Sequence, residues 1–325
     1  MSDATFTALL LERSGDGPVR AGVTDLPVDR LPGGDGPADG EVEVAVTHSS
    51  LNYKDALIVT GTGGPLVREH PHVPGIDLAG TVVAVGSGVD PGTAAVGDEV
   101  LVTGCWLGER RWGGMATRAR VPAAGLVRRP AGDDDALAHG GGARGDGTVL
   151  VTGATGGVGS LAVHLLTRTG HTVAAATGSP DAAAVLEELG APEIVPRSEL
   201  EALAAKPLAS ARWAGVVDVA GGPVLAGALV STAPRGVVVA CGIAGGRRLD
   251  VDLAPFFARG VVLAGIDSVL HPMAERPAIW ARLAAGADPA VLDRIATTVG
   301  LGGVHEAAEA LLSRGGRGRA VVAVG

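Results

Sequence analysis

The stretch Val149-Leu-Val-Thr-Gly-Ala-Thr-Gly-Gly-Val-Gly159 decides the fold of this chain. An apolar run with strand character leads into glycines at positions 153, 156 and 159, and a helical pattern follows. Glycine is needed because a Cβ would obstruct the tight turn, the approach of the backbone to a pyrophosphate, or the packing of helix on strand. The stretch predicts a strand, a turn and a helix that bind a dinucleotide. A glycine turn with a purely structural role is the alternative.

The residues after Thr148 alternate short apolar runs with helical patterns. The predicted strands are Val149–Thr152, Thr172–Ala176, Ile194–Val195, Val216–Val219, Gly236–Cys241 and Val261–Ile266. Six strands with helices between them predict an α/β fold with a doubly wound parallel sheet of the Rossmann type.

The first part of the chain has a different pattern. Short alternating runs such as Glu41–Thr47, separated by Gly and Pro, predict a compact β-rich domain with one helix at Asn52–Val59. We expect this domain at 1–127 and the Rossmann domain at 128–270. The Rossmann domain would begin with a shortened Gly-rich segment at 131–147, and 271–325 would return to the first domain.

Composition narrows the function classes. The 325 residues carry a net charge of −9, which argues against nucleic acid or a membrane surface as the main partner. Two cysteines, Cys105 and Cys241, are too few for a disulfide framework or a cysteine-rich zinc site. Neither a signal-peptide pattern nor the roughly 20-residue apolar run of a spanning helix is seen, so a cytoplasmic protein is expected.

The end of the second Rossmann strand indicates the cofactor. Sites selective for NAD usually have an acidic residue there that holds the ribose hydroxyls. Here the sequence is Ala176-Thr-Gly-Ser179, without a carboxylate. The hydroxyls of Thr177 and Ser179 can bond to a 2′-phosphate, so NADP(H) is favoured. The alternative is that both residues only cap the helix that begins at Pro180.

Six segments, in order along the chain, resemble the medium-chain dehydrogenase/reductase superfamily. The similarity is to its zinc-free quinone oxidoreductase branch, and there to the acrylyl-CoA reductase (AcuI/YhdH-like) family. The segments are Ser49-Ser-Leu-Asn-Tyr-Lys-Asp55, His72-Val-Pro-Gly-Ile-Asp-Leu-Ala-Gly80, Trp112-Gly-Gly-Met-Ala116, Val151-Thr-Gly-Ala-Thr-Gly-Gly-Val-Gly159, Ala240-Cys-Gly-Ile-Ala-Gly-Gly246 and Gly265-Ile-Asp-Ser-Val269.

The resemblance implies a GroES-like β-rich domain joined to the Rossmann domain, and a reductase that uses NADPH. The implied substrate is a small molecule with an activated C=C bond: a 2-enoyl thioester such as acrylyl-CoA, a carrier-bound analogue, or a quinone or enone. Zinc-using members place a Cys near Asn52 and a His near Ile76. Both ligands are absent here, so no metal is expected, and conjugate reduction is favoured over carbonyl chemistry.

Conjugate reduction builds negative charge on the thioester carbonyl oxygen, which needs hydrogen-bond donors. Asn52 and Tyr53 are the candidate catalytic residues, and Tyr53 can also deliver a proton to Cα. A packed, structural Tyr53 is the alternative. Lys54 and Asp55 are interpreted as a surface ion pair, and Asp77 as a brace for the site.

The expected cofactor-binding residues come from two sources. The glycine loop and the exits of the second and third strands provide Thr152, Gly153, Thr155, Gly156, Gly157, Val158, Gly159, Thr177, Ser179 and Arg197. The resemblance adds Cys241, Gly242, Ile243, Ala244, Ile266, Ser268 and Arg319, the last near the cofactor phosphates. Arg110 and Arg111 are interpreted as solvated, with contact to a CoA phosphate as the alternative.

The sequence departs from the family at two places. Relatives commonly carry Arg at the position of Ser179. Its loss is expected to weaken the preference for NADP, and Arg197 is the residue that could compensate for it. Relatives also have a helix before the glycine loop, beside the nicotinamide, where 131–147 is Gly-rich and contains His139, interpreted as a solvated loop residue.

An opened pocket at 131–147 would fit two functions besides a reductase. One is a non-redox enzyme of cyclisation or elimination, and the other is a non-catalytic NADP-binding protein. The resemblance further implies a homodimer formed through the edge strand Val261–Ile266.

Overall fold

The structure, a computed structural model, describes residues 4–15, 17–130, 147–313 and 317–325. The chain divides into two compact units, one of residues 1–131, 268–281 and 296–325, the other of residues 132–267 and 282–295. The segment expected to return to the first domain is therefore shared, because 282–295 belongs to the second unit. His139 and most of the shortened entry 131–147 lie outside the described residues.

The strands in chain order are β1 (Thr5–Glu12), β2 (Arg20–Pro27), β3 (Glu41–Leu51), β4 (Asp77–Val85), β5 (Glu99–Thr103), β6 (Arg118–Pro122), β7 (Leu126–Arg128), β8 (Thr148–Thr152), β9 (Thr172–Thr177), β10 (Glu193–Pro196), β11 (Trp213–Asp218), β12 (Thr232–Ala240), β13 (Val262–Gly265), β14 (Ala296–Gly300) and β15 (Arg319–Ala323). The α-helices are α1 (Tyr53–Val59), α2 (Gly157–Arg168), α3 (Ala183–Glu188), α4 (Arg197–Leu203), α5 (Gly222–Val230), α6 (Ala254–Arg259), α7 (Arg276–Gly286), α8 (Pro289–Ile295) and α9 (Val304–Leu312).

The first unit is built on a seven-stranded sheet. Its strand order is β14-β15-β3-β4-β5-β7, with β6 paired to β3, and β1 and β2 form a separate hairpin. Alternating residues of β3, including Val42 and Val44, point into a core that Leu78 of β4 and Val304 of α9 also enter. Alternation of this kind is what an antiparallel sheet with one buried face requires.

The second unit contains the six-stranded parallel sheet that the sequence predicts. Its order is β10-β9-β8-β11-β12-β13, and every pairing is parallel. Leu150 packs into a core on the α5 face of the sheet, whereas its neighbour Val151 packs into another core with Val163 of α2. The strands are therefore buried on both sides, which explains their continuous apolar runs. Within the described residues, no helix is long and apolar enough to cross a membrane.

Candidate active site

The glycine loop joins β8 to α2 in a conformation that depends on glycine. Gly153 has a φ of +56°, a left-handed conformation that glycine adopts without strain. A Cβ on Gly159 would lie 2.2 Å from the carbonyl oxygen of Gly153, so the helix can pack this closely only without a side chain. The backbone N–H of Ala154 donates to Ala176 at 3.1 Å and fixes the loop against β9.

The start of α2 suits a phosphate group. Gly156 is the residue before the helix, and the first N–H groups of α2 have no partner within the helix. Together with the positive end of the helix dipole, they favour an anion at this position. Thr155, Gly156 and Gly157 are half-buried and Val158 is exposed, so a ligand can reach this turn.

Thr152 holds the loop rather than facing solvent. It is completely buried, and its hydroxyl donates to the Asp218 carboxylate at 2.6 Å. Asp218 also accepts the N–H of Gly221 at 2.8 Å, which links the exits of β8 and β11. Burial raises the pKa of Asp218. Sequence reasoning missed Asp218, although an Asp that ends an apolar strand before two glycines was a usable signal.

Arg197, the first residue of α4, lies against the exit of β9, the place where a residue that binds a 2′-phosphate would be needed. A Cβ added to Gly178 would lie 3.0 Å from the guanidinium carbon of Arg197, so this cation rests against the backbone between Thr177 and Ser179. Its present partner is Glu201, at 3.3 Å, and both side chains are more than 40% exposed. Thr177 is buried, and its hydroxyl accepts the N–H of Ser179 at 3.0 Å.

The exits of β11, β12 and β13 enclose a cavity of about 560 Å³. Cys241, Gly242, Ile243 and Ile266, all expected near the cofactor, line it. Gly242 has no room for a Cβ, which would lie 2.0 Å from the carbonyl oxygen of Val219. Burial and the charge of Asp218 raise the pKa of the Cys241 thiol, which therefore stays protonated. Ala244 is exposed on the same loop.

Ser268 belongs to the first unit, where the buried Arg276 fixes its backbone. Arg276 Nη2 donates to the carbonyl oxygen of Ser268 at 2.7 Å, and its Nη1 donates to the Thr103 hydroxyl at 2.8 Å. Sequence reasoning missed Arg276, because nothing in its local pattern distinguishes it from a surface arginine.

Asn52 is the centre of a polar cluster in the first unit. Its Nδ2 lies 2.9 Å from Asp77 Oδ2 and 3.1 Å from Asp55 Oδ2. Its Oδ1 accepts a hydrogen bond from Arg319 Nη1. The pairing of Ala320 with Leu51 explains this contact, since it places Arg319 opposite Asn52. The structure thus brings together Arg319, expected at the cofactor phosphates, and Asn52, expected at the reacting group.

Asp55 is a fully buried carboxylate under this cluster. It closes a capping box at the start of α1 and accepts the N–H groups of Gly75 and Ile76 at 3.1 and 3.0 Å. Burial, and after it the charge of Asp77, raise the pKa of Asp55 to about 7 against the opposing effect of these hydrogen bonds. The interpretation of Asp55 as half of a surface ion pair is wrong.

The two residues between Asn52 and Asp55 face other surroundings. Tyr53 is 41% exposed, and within the described part of the chain its phenolic oxygen has no hydrogen-bond partner. Lys54 pairs with Glu109 at 2.8 Å. Tyr53 is therefore not packed in a core, and its hydroxyl can contact a ligand.

Arg110 and Arg111 each have an internal partner. The Arg110 guanidinium stacks 3.9 Å from the ring centre of Trp106, and Arg111 pairs with Glu41 at 2.6 Å. Both remain exposed. Their interactions favour a structural role over an anion site.

Comparisons with known proteins agree with this architecture. Residues 38–131 match the alcohol dehydrogenase GroES-like domain, and residues 157–285 match the family described as zinc-binding dehydrogenase. The chain is 43% identical over 298 residues to acrylyl-CoA reductase AcuI of Ruegeria pomeroyi, covering 86% of this chain and 87% of that protein. The chain is also 39% identical to YhfP of Bacillus subtilis, which is named as a quinone oxidoreductase, over 90% of each chain.

Two crystal structures extend these similarities. The yhdH oxidoreductase of Salmonella enterica, in complex with NADP, superimposes with a TM-score of 0.88 at 40% identity, over 98% of this chain and all of that one. Bacillus subtilis yhfP with NAD bound gives 0.88 at 36% identity, over 99% of this chain and all of that one.

A GroES-like domain joined to a Rossmann sheet with a glycine loop defines a medium-chain dehydrogenase/reductase. Within that class the chain belongs to the acrylyl-CoA reductase (AcuI/YhdH-like) family. Both the predicted fold and the predicted family are confirmed.

The residues at the family's zinc position do not fit a zinc ion. Asn52 and Ile76 offer an amide and an aliphatic chain where thiolate and imidazole ligands would be needed. Among the described residues, no three His, Cys, Asp or Glu side chains converge as a metal site requires. The amide of Asn52 instead connects two carboxylates and a guanidinium.

Proposed function

We propose that this protein is a zinc-independent reductase that uses NADPH to reduce an activated C=C bond. Its substrate would be a 2-enoyl thioester such as acrylyl-CoA or a carrier-bound analogue, or else a quinone or enone. The observation that carries the proposal is the glycine loop with Arg197 at the exit of β9. The family relationship supports it, and it gives no support to a non-redox or non-catalytic role.

The second unit would hold the cofactor. The N-terminus of α2 suits the diphosphate, and Arg197 with Ser179 suits the 2′-phosphate. When bound, NADPH supplies a hydride to the β-carbon of the substrate. The glycine positions fit such a group, because a side chain on Gly159 would displace the helix that carries these N–H donors.

The first unit would stabilise the charge that develops on the carbonyl oxygen and would supply the proton to Cα. As the β-carbon gains a hydride, the electron pair of the double bond moves toward the carbonyl oxygen, and Cα then needs a proton. Tyr53 carries a free hydroxyl that can hold this proton and recover it from solvent. The amide hydrogens of Asn52 already face Asp55 and Asp77, so we propose that Asn52 contributes by orienting Arg319 and Tyr53.

The test is anaerobic mixing of the protein and NADPH with acrylyl-CoA, a quinone or propionyl-CoA, followed at 340 nm. We expect absorbance to fall with acrylyl-CoA or the quinone. Propionyl-CoA is the control, because it has no double bond to reduce. NADPH that binds tightly but is never oxidised by any acceptor would exclude the reductase.

Zinc independence has a separate test. The protein should contain much less than one zinc per chain after purification, and treatment with a chelator should leave turnover unchanged. Loss of turnover on chelation, with recovery on added zinc, would contradict this part of the proposal.

We also propose a cytoplasmic homodimer. β13 is an edge strand that pairs only with β12 in the described sheet, and exposed apolar side chains surround it. Val262 is 51% exposed, and Phe257 on the neighbouring α6 is 78% exposed. An apolar edge strand of this kind is suited to pairing with a second copy. Cell fractionation tests the location.

A further inference from the structure

The cavity at the exits of β11, β12 and β13 has two arginines that the cofactor does not explain. Arg247 and Arg248 line it, both are exposed, and within the described residues neither makes an ion pair or hydrogen bond. Arg212 of the same unit, by contrast, pairs with Glu193 and Glu199. Two adjacent unpaired guanidinium groups in a chain of net charge −9 mark a local anion site.

The acidic residues near the pair are engaged elsewhere or lie outside the cavity. Asp252 accepts the N–H of Ala254 at 2.8 Å at the start of α6. Asp218 is completely buried and bonded to Thr152 and Gly221. Asp267 lines the cavity and has another interaction. Asp250 is exposed but does not line the cavity.

Hydrogen bonds hold the backbone directly before Arg247 and Arg248. The N–H of Gly245 donates to Ala220 at 2.6 Å, and that of Gly246 donates to Ile243 at 3.0 Å. Gly246 forms a bridge with Gly221, and a Cβ on Gly221 would lie 2.6 Å from the Gly246 carbonyl oxygen. The turn directly before the two arginines is thus held by backbone hydrogen bonds, which limits the backbone entropy lost when an anion binds.

Apart from the two arginines, Cys241 and Asp267, the cavity is lined by apolar side chains and glycine backbone. Leu225, Ile243, Leu249 and Ile266 form its apolar walls. A ligand that fits both features has a flexible, partly apolar arm that ends in a phosphate. Ile243 and Ile266 are also expected near the cofactor, so the arm would share this cavity with NADPH. The positions proposed above for the NADPH phosphates are at α2 and Arg197, so the anion at Arg247 and Arg248 comes from the other substrate.

We propose that Arg247 and Arg248 bind the phosphate of the phosphopantetheine arm of a thioester substrate, with the arm lying in this cavity. The inference rests on the proposed function, since it assigns one part of the same substrate. CoA and a carrier protein share this arm. The pair therefore selects phosphopantetheine thioesters over short thioesters and quinones.

The test compares wild type with a double variant, Arg247→Gln and Arg248→Gln. Substrates are acrylyl-CoA, acrylyl-phosphopantetheine and acrylyl-pantetheine, which lacks the phosphate. We expect kcat/KM to fall about 10- to 100-fold for both phosphorylated substrates, because two charge-assisted contacts to the phosphate are lost. For acrylyl-pantetheine, kcat/KM should stay constant. The matched control is Arg168→Gln with Arg282→Gln, two exposed arginines of the second unit outside the cavity lining.

Binding measurements separate this inference from the proposed function. The double variant should lose affinity for CoA by calorimetry, whereas its affinity for NADPH and its melting temperature should equal those of wild type. Loss of CoA affinity in the double variant supports the inference even if wild type reduces no thioester. The absence of thioester reduction would contradict only the proposed function. Any of three results for the double variant would overturn the assignment. These are a kcat/KM loss for acrylyl-pantetheine equal to that for the phosphorylated substrates, an unchanged affinity for CoA, or a kcat/KM loss for acrylyl-CoA that is absent for acrylyl-phosphopantetheine.

Discussion

At the scale of single residues, Arg197 is expected to decide the choice between NADPH and NADH. Its guanidinium rests against Gly178 at the exit of β9, where the proposed site would hold the 2′-phosphate that NADPH has and NADH lacks. Arg197→Ala should weaken NADPH binding about 10- to 100-fold, the usual effect of losing a hydrogen bond to a charged group. NADH binding should not change.

Cofactor fluorescence titration measures both dissociation constants. Glu201→Gln is the matched control, because it removes the present partner of Arg197 and should leave NADPH binding equal or tighter. An equal loss for NADPH and NADH in Arg197→Ala would show that the residue does not recognise the 2′-phosphate.

Tyr53 is expected to act in the chemical step and not in folding. Its side chain is 41% exposed, so Tyr53→Phe should keep the melting temperature and the NADPH affinity of wild type. Loss of a positioned proton donor should lower kcat about 100-fold. Steady-state kinetics measures this change, and an unchanged kcat would remove Tyr53 from the mechanism.

The residues of the first-unit cluster show what the sequence can predict at this scale. Asn52 and Tyr53 were predicted as catalytic residues from a local segment, and their roles stay a prediction. The helix α1 begins where the pattern indicates. The partners of Lys54 and Asp55 could not be found in this way. Neighbours in sequence point to different sides of a helix, and Glu109 lies 55 positions away from Lys54. A buried carboxylate next to a half-buried lysine leaves no local signal.

At the scale of elements, two glycines of the loop before α2 should separate stability from cofactor binding. A Cβ on Gly159 would meet backbone at 2.2 Å, whereas one on Gly156 would have its nearest neighbour at 3.4 Å, an ordinary contact. Gly159→Ala should therefore cost about 1–3 kcal/mol of stability through overpacking. Gly156→Ala should keep stability and weaken NADPH binding at the turn.

Urea unfolding and cofactor titration of both variants measure the two effects. The variants control for each other, since each adds the same methyl group to the same turn. Equal stability of the two proteins would contradict the packing argument at Gly159.

The contact between α2 and α8 should make stability depend on pH. His164 of α2 is buried, and its Nε2 accepts the N–H of Asp288 at 3.3 Å. Burial, followed by the charge of Arg168, lowers the pKa of His164 from 6.5. The neutral ring is thus favoured in the folded state, and its contribution is complete above pH 6.5. As the pH falls below 6.5, the unfolded chain binds the proton first, and stability decreases.

His164→Gln tests this sign, because the glutamine oxygen can accept the same N–H without titrating. Between pH 7.5 and pH 5.5, wild type should lose more stability than the variant. Urea unfolding at several pH values measures the difference. Parallel curves for the two proteins would show that His164 does not titrate in this range.

The predicted elements were most accurate where burial is continuous. The predicted ends of the parallel strands lie within a few residues of the observed ends, because strands buried on both faces consist of continuous apolar runs. β11 begins at Trp213, before its predicted start. The buried indole of Trp213 donates to Ser231 at 3.0 Å, and the local pattern did not indicate this contact because the partner is distant in sequence. β14 was missed. Its short sequence Ala296–Gly300 has no buried residue and no continuous apolar run, and only the pairing with β15 identifies it as a strand.

At the scale of the whole molecule, apolar surface and charge are both unevenly distributed. The chain is acidic, yet Arg247 and Arg248 lie unpaired on one cavity. Large exposed apolar side chains occur on and beside the edge strand β13. These features belong to different residues of one unit. The first suits an anionic substrate, and the second suits a second copy of the chain.

The edge strand carries the last prediction. In a two-fold pairing along β13, a substitution of Val262 enters the interface twice, so Val262→Asp places two like charges against each other and at an apolar edge. Wild type should therefore run at twice the chain mass of 32.1 kDa in light scattering after gel filtration, and the variant at the chain mass. Val96→Asp, at a valine that is 66% exposed in the first unit, should stay dimeric. A monomeric wild type, or a Val262→Asp protein that remains dimeric, would show that β13 is not the interface.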